Sequence, residues 1–202
     1  MQNLLYLHYM KNLQLSKPHL LVVVGIPGAG KSFFASKFAE TFSAPYIDQD
    51  SLYDMVDPDH VESVADLILD QLVRTKQTIL LEGWGATRTE RQAFTAYGKK
   101  HGYEPLFIWV QTEPVTAKKR ATKGVRGHET TKLVSPEEFD KAVGRFTPLN
   151  AAERYMVISG KHTYASQAKI VLKKLTGDRA ALHTVAPRHA DAATIRGRIT
   201  VN

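Results

Sequence analysis

The 202-residue chain contains no cysteine, which excludes disulfides and thiolate zinc sites. It also lacks any long apolar run. Between Met1 and Leu15 the residues Leu4, Leu5, Tyr6, Leu7 and Tyr9 are broken up by Gln2, Asn3, His8 and Lys11, well before a membrane-spanning length and unlike a signal peptide. The expectation is therefore a cytoplasmic protein with no membrane partner. No internal repeat and no low-complexity tract is visible. Local charge of one sign is missing too: from Asp48 to Asp70 there is no Lys or Arg, only Asp48, Asp50, Asp54, Asp57, Asp59, Glu62, Asp66 and Asp70. The net charge of +7 comes largely from Lys118 to Lys132, where Lys118, Lys119, Arg120, Lys123, Arg126 and Lys132 face the single acid Glu129. A positive lip and a negative wall follow.

What is present is more specific. Residues 25 to 32 read Gly25-Ile26-Pro27-Gly28-Ala29-Gly30-Lys31-Ser32, after the apolar run Leu20 to Val24 and before a helical pattern. This is the setting of a phosphate-binding loop. Glycines let successive N–H groups converge on phosphates, the lysine reaches the β and γ phosphates, and the serine hydroxyl suits Mg²⁺. The residues expected to hold the nucleotide are Gly25, Pro27, Gly28, Ala29, Gly30, Lys31, Ser32 and Phe33, together with Lys123 from the basic segment. The cofactors expected are ATP and Mg²⁺.

Helical and strand patterns alternate along the chain. Strands are predicted at 20–24, 45–48, 78–82, 106–111 and 155–158, and helices at 31–42, within 50–76, at 89–100, 114–123, 136–146 and 164–175. Such alternation gives parallel strands joined by helical crossovers. The fold class is α/β: a three-layer arrangement with a five-stranded parallel sheet flanked by helices, plus a basic lid segment. We expect an N-terminal extension over residues 1–17, the nucleotide-binding domain over 18–176 with its lid at about 118–135, and a basic tail over 177–202. Ser135-Pro136-Glu137-Glu138 reads as a capping box with proline at the first helical position, and Thr112 precedes Glu113 and Pro114 in a similar way.

Moving a phosphoryl group to a hydroxyl requires a phosphate cradle, Mg²⁺, an acceptor for the hydroxyl proton and cations for the transition-state charge. Asp48 and Asp50 close the second strand, and alternation would send both to one face at the sheet end where ligands bind. Asp50 is the candidate base and Asp48 the candidate partner of Mg²⁺-bound water; the alternative is that one of them caps the next helix. Glu82, ending the third strand, is the other candidate beside the metal. Arg120, Lys123 and Arg126 recur every three residues in the basic segment, with Gly124 and Gly127 as hinges. A closing segment of this kind neutralises transferred charge and excludes water; the alternative is a solvated charge run. Arg88 and Arg91 open the helix after the third strand and are candidates for acceptor contact; the alternative is that each is a solvated side chain on the helix surface. The turn Ser159 to Tyr164 is placed near the nucleotide base, with His162 and Tyr164 read as packing or capping residues.

These motifs resemble the P-loop kinase group that contains polynucleotide kinases, shikimate and gluconate kinases and zeta-toxin-like kinases, often labelled AAA-family ATPases. The resemblance spans about residues 20 to 175 and rests on Gly25-x-x-Gly28-x-Gly30-Lys31-Ser32, the Asp48-x-Asp50 pair and the Lys119-Arg120-x-x-Lys123 segment. It implies Asp50 as acceptor base, Arg120 and Arg126 as lid arginines, and Lys31 and Ser32 as phosphate and metal contacts. Two departures bear on the acceptor. Phage-type polynucleotide kinases carry an arginine three residues after the base, where this chain has Tyr53, and Gly83-Trp84-Gly85 is not the unbroken glycine run of shikimate kinases. The reading is a kinase that phosphorylates a small-molecule hydroxyl. A polynucleotide 5′-hydroxyl kinase, with nucleic acid as partner, and a regulatory ATPase without an acceptor are the alternatives.

Overall fold

The computed structural model describes residues 13, 15–124 and 132–177. Residues 1–12, Arg126 with the middle of the basic segment, and the tail after Gly177 lie outside them.

Strand β1 (His19–Val24) is buried along its whole length, which is why its sequence is a continuous apolar run rather than an alternation. It occupies the centre of the sheet. Strands β2 (Tyr46–Asp48), β3 (Ile79–Glu82), β4 (Glu104–Gln111) and β5 (Tyr155–Ser159) complete the order β2-β3-β1-β4-β5, and every neighbouring pair is parallel. Helices α1 (Lys31–Phe42), α2 (Gln49–Met55), α3 (Val61–Leu72), α4 (Arg88–Lys100), α5 (Pro114–Lys123), α6 (Pro136–Arg145) and α7 (Tyr164–Thr176) lie among the crossovers. The described residues therefore form the expected three-layer α/β arrangement.

Alternation along β1 divides the core. Leu21 and Val23 join Phe34, Phe38 and Phe42 of α1 and Val171 and Leu175 of α7 on one face. Leu20, Val22 and Val24 meet Leu69 of α3, with Leu81 and Phe107, on the other. A third, small cluster of Ala117, Ala121 and Phe139 packs α5 against α6.

Three sequence expectations change. Strand β2 ends at Asp48, whose side chain accepts from the Asp50 amide at 3.2 Å and from Ser51 Oγ at 2.7 Å. Asp50 thus sits in the first turn of α2, and a helix rather than strand alternation sets its direction. The second change concerns Thr112. Proline favours the first helical position, so α5 starts at Pro114, Glu113 becomes the capping residue without a side-chain bond, and the Thr112 hydroxyl is free to donate to Ala29 O at 2.9 Å. Ser135 and Glu138 do form the reciprocal capping box, as Thr87 and Glu90 do at α4.

The third change concerns Arg91, which points inward. It is 1% exposed, and its guanidinium bonds both oxygens of Glu153 at 2.5 and 3.2 Å and the carbonyls of Gly85 and Ala86 at 3.0 and 3.2 Å. It anchors the turn after β3 to the segment before β5 and is not available to an acceptor; Arg88 stays exposed. Burial works against the Glu153 charge, but the Arg91 bonds and the Asn150 amide outweigh it and hold its pKa below the ordinary value. That contribution to stability is present above the unfolded-state pKa and is lost as pH falls through the lowered one. Removing one partner of a buried pair strands the other charge, so Arg91→Met is expected to lower stability by about 3–5 kcal/mol at neutral pH. Urea unfolding measures this; a loss under about 1 kcal/mol would show the pair to be dispensable.

Candidate functional site

The phosphate-binding loop leaves the central strand and is held on two flanks by backbone. At Gly28, where φ is 72°, a Cβ would lie 2.1 Å from the Ala117 carbonyl and 2.9 Å from the Ala121 amide, so α5 rests directly on the loop. On the other flank a Cβ at Gly160 would lie 1.8 Å from Ala29 O and 2.4 Å from Thr112 Oγ1. Thr112 itself bonds Ala29 O, fixing the peptide between Gly28 and Gly30. Helix α1 then begins at Lys31 with no side chain capping its amides. The positive end of a helix dipole, with its amides directed outward, is a ready anion site. Lys31 folds back so that Nζ donates to Ile26 O at 3.3 Å, a weak contact.

Beside the loop, β1 and β2 flank β3 so that Glu82 stands in register with Val23 on one side and Asp48 on the other. Glu82 is 3% exposed. It accepts from Ser32 Oγ at 2.7 Å and from the Tyr46 hydroxyl at 2.5 Å. Burial pushes its pKa up, opposed by the Lys31 cation and the two hydroxyl bonds. Asp50 is an exposed residue, yet its carboxyl also titrates above the ordinary value: lost hydration comes first and the Asp48 charge second, against Lys31 and Lys132. Lys31 therefore acts electrostatically on both acids. Asp48 takes part in this cluster, but both its oxygens are engaged in capping α2.

The basic segment is put to several uses. Arg120 is half-buried and its Nη1 donates to Gly160 O at 3.1 Å, which places its guanidinium where α5, the phosphate loop and the turn after β5 meet. Lys123, the last residue of α5, is exposed. Lys118 pairs with Asp140 at 2.7 Å and stands over the Phe139 ring, so it joins α5 to α6. Lys132 bridges to Asp54 of α2 at 2.8 Å, linking the positive lip to the negative wall. Within that wall Glu62 accepts from Gln49 at 2.8 Å and from the Trp84 indole at 3.1 Å. In the turn after β5, His162 is exposed, Thr163 caps α7, and Tyr164 donates to Thr41 Oγ1 at 2.6 Å while packing on Phe34.

Sequence reading missed Tyr46 and took Thr112 for a cap, because each acts on a residue brought close only by folding. Among the described residues no group of three His, Cys, Asp or Glu side chains could hold a metal unaided, and no helix is long and apolar enough to cross a membrane.

The model of a family described as AAA domain matches residues 20–149. Among solved structures, a gluconokinase from Sinorhizobium meliloti 1021 superposes with a TM-score of 0.57 at 16% identity, covering 79% of this chain and 92% of that one. A sugar kinase from Janibacter sp. HTCC2649 gives 0.57 at 16% identity, over 77% of this chain and 93% of its own. Kti12 from Chaetomium thermophilum, in complex with ADP-AlF3, gives 0.58 at 17% identity, over 77% and 96%. These likenesses establish the fold, that of P-loop NTPase kinases. No curated protein matches the chain.

Because Gly160 touches the loop backbone with no room for a methyl, Gly160→Ala is expected to force Ala29 and Thr112 apart at a cost of about 1–3 kcal/mol and to weaken ATP binding. Thermal unfolding and nucleotide titration check both effects. Unchanged ATP affinity would show that the contact does not shape the loop.

Proposed function

This chain belongs to the AAA domain family, and we propose that it is an ATP-dependent phosphotransferase that moves the γ-phosphate to a hydroxyl of a small molecule. The observation that carries the reading is the gathering of three acids beside the phosphate loop: Glu82 bonded to Ser32, Asp48 in register with Glu82, and Asp50 in the first turn of α2 that Asp48 caps. The kinase-like fold supports the reading.

In this scheme the loop amides and the N-terminus of α1 receive the β and γ phosphates, and Lys31 exchanges Ile26 O for a phosphate oxygen. Mg²⁺ fits beside them on the evidence of Glu82: a carboxylate buried against a phosphate loop and bonded to the Ser32 hydroxyl is short of compensating charge. Magnesium keeps several waters and uses few protein oxygens, so Ser32 would hold it, with Glu82 and Asp48 accepting from its waters. When bound, it neutralises charge on the β and γ oxygens. Asp50 accepts the proton of the attacking hydroxyl and keeps the oxygen in line with the γ-phosphorus. The raised pKa of Asp50 strengthens it as a base and places the acid limb of the pH profile above the ordinary aspartate value. Arg120, at the edge of the loop, is positioned to take charge developing during transfer, with Lys123 and Arg126 as further cations of the segment.

The acidic face of α2 and α3 favours a neutral or cationic acceptor over a polyanion. A nucleic-acid acceptor predicts steeply salt-dependent binding to single strands, so absence of binding at low salt would remove that alternative.

Asp50→Asn is expected to lower acceptor phosphorylation by about 100-fold or more while leaving ATP affinity unchanged, measured with labelled ATP across a panel of alcohols, sugars and amino alcohols. Equal nucleotide turnover in the variant and the parent, with no acceptor labelled, would instead indicate an ATPase without an acceptor. Arg120→Ala should reduce kcat with little effect on nucleotide affinity; an unchanged kcat would return Arg120 to a packing role.

A further inference from the structure

Both oxygens of the buried Glu82 carboxylate are engaged, each by a hydroxyl. Oε1 accepts from Ser32 and Oε2 from Tyr46. The two donors come from different elements, Ser32 from the first turn of α1 and Tyr46 from β2. Tyr46 stands in register with Leu80, two residues before Glu82 on the neighbouring strand, so its ring reaches along the sheet toward the carboxylate. The ring is half-buried against the core that also holds Phe38 and Leu80. Packing alone would be satisfied by phenylalanine; the hydroxyl is the part that has a specific partner.

A glutamate side chain has several torsions to fix, and one bond from Ser32 leaves the carboxylate free to pivot. The second bond removes that freedom. We infer that Tyr46 is a positioning residue: its hydroxyl holds Glu82 so that Oε1 stays on Ser32, and thereby sets the serine hydroxyl for the metal–nucleotide complex. The inference rests on the Mg²⁺-ATP reading above. It assigns Tyr46 no contact with substrate. Partners that orient a metal's immediate neighbours are often worth as much as the ligands themselves, because a ligand held out of place must be reordered on binding.

Calorimetric titration of ATP, with Mg²⁺ and in EDTA, tests this on the parent, Tyr46→Phe, Glu82→Gln and the double variant, with thermal unfolding alongside. Phenylalanine keeps the ring and its packing. Tyr46→Phe should cut the Mg²⁺-dependent gain in ATP affinity about tenfold while leaving the affinity in EDTA unchanged and lowering the unfolding temperature by only a few degrees, the cost of one hydroxyl bond lost to a buried oxygen. Added to Glu82→Gln, it should cost nothing further, since the two would act on one pathway. Full retention of the Mg²⁺ gain overturns the inference, as does an equal loss in EDTA or an additive loss in the double variant. A parent protein with no Mg²⁺-dependent gain would instead sink the Mg²⁺-ATP reading, whatever Tyr46 does.

Discussion

Contact between bare backbones around the phosphate loop is the constraint on which the rest of the structure depends. Gly28 rests on the peptide groups of α5, and Gly160 rests on Ala29 O. No side chain separates these surfaces, so the loop, the basic helix and the turn after β5 cannot move independently without opening a gap. That arrangement makes a loop of glycines a rigid cradle, although glycine by itself favours disorder. Thr112 completes it with a single bond to the same Ala29 carbonyl.

The acids are organised around this cradle by the sheet. Parallel register brings the ends of β1, β2 and β3 level, so that Asp48 and Glu82 are neighbours although they lie far apart in sequence. Their environments then diverge. Glu82 is buried and takes two hydroxyl bonds; Asp48 spends its oxygens on the first turn of α2; Asp50 is carried out on that turn toward solvent and the Lys31 charge. Three carboxylates near the loop thus sit in three different environments, and environment rather than residue type separates them.

Charge is distributed in a related way. The basic run is not one solvated face: Lys118 fastens α5 to α6, Arg120 reaches the turn at Gly160, and Lys132 crosses to Asp54. The exposed ion pairs are individually weak, which leaves the cations at the rim of the site able to change partners. By contrast Arg91 and Glu153, buried and bidentate, tie the turn after β3 to the segment leading into β5. One set of charges belongs to the scaffold and the other to the rim.

Local patterns were enough to place the five strands, the phosphate loop and the capping box at Ser135, because each depends on neighbours within a few residues and on a period that the backbone enforces. Where a residue's partner lies far along the chain, the pattern fell silent or misled. Arg91 reads as a surface arginine on a helix until Glu153 is seen beside it, Thr112 reads as a cap until Ala29 is found within reach, and Tyr46 reads as an ordinary strand aromatic. The sequence by itself determined that a nucleotide cradle sits at the end of a central buried strand. Only the tertiary structure decided which polar groups face it, since burial and long-range hydrogen bonds are properties of the packed chain and leave no periodic trace in the order of residues.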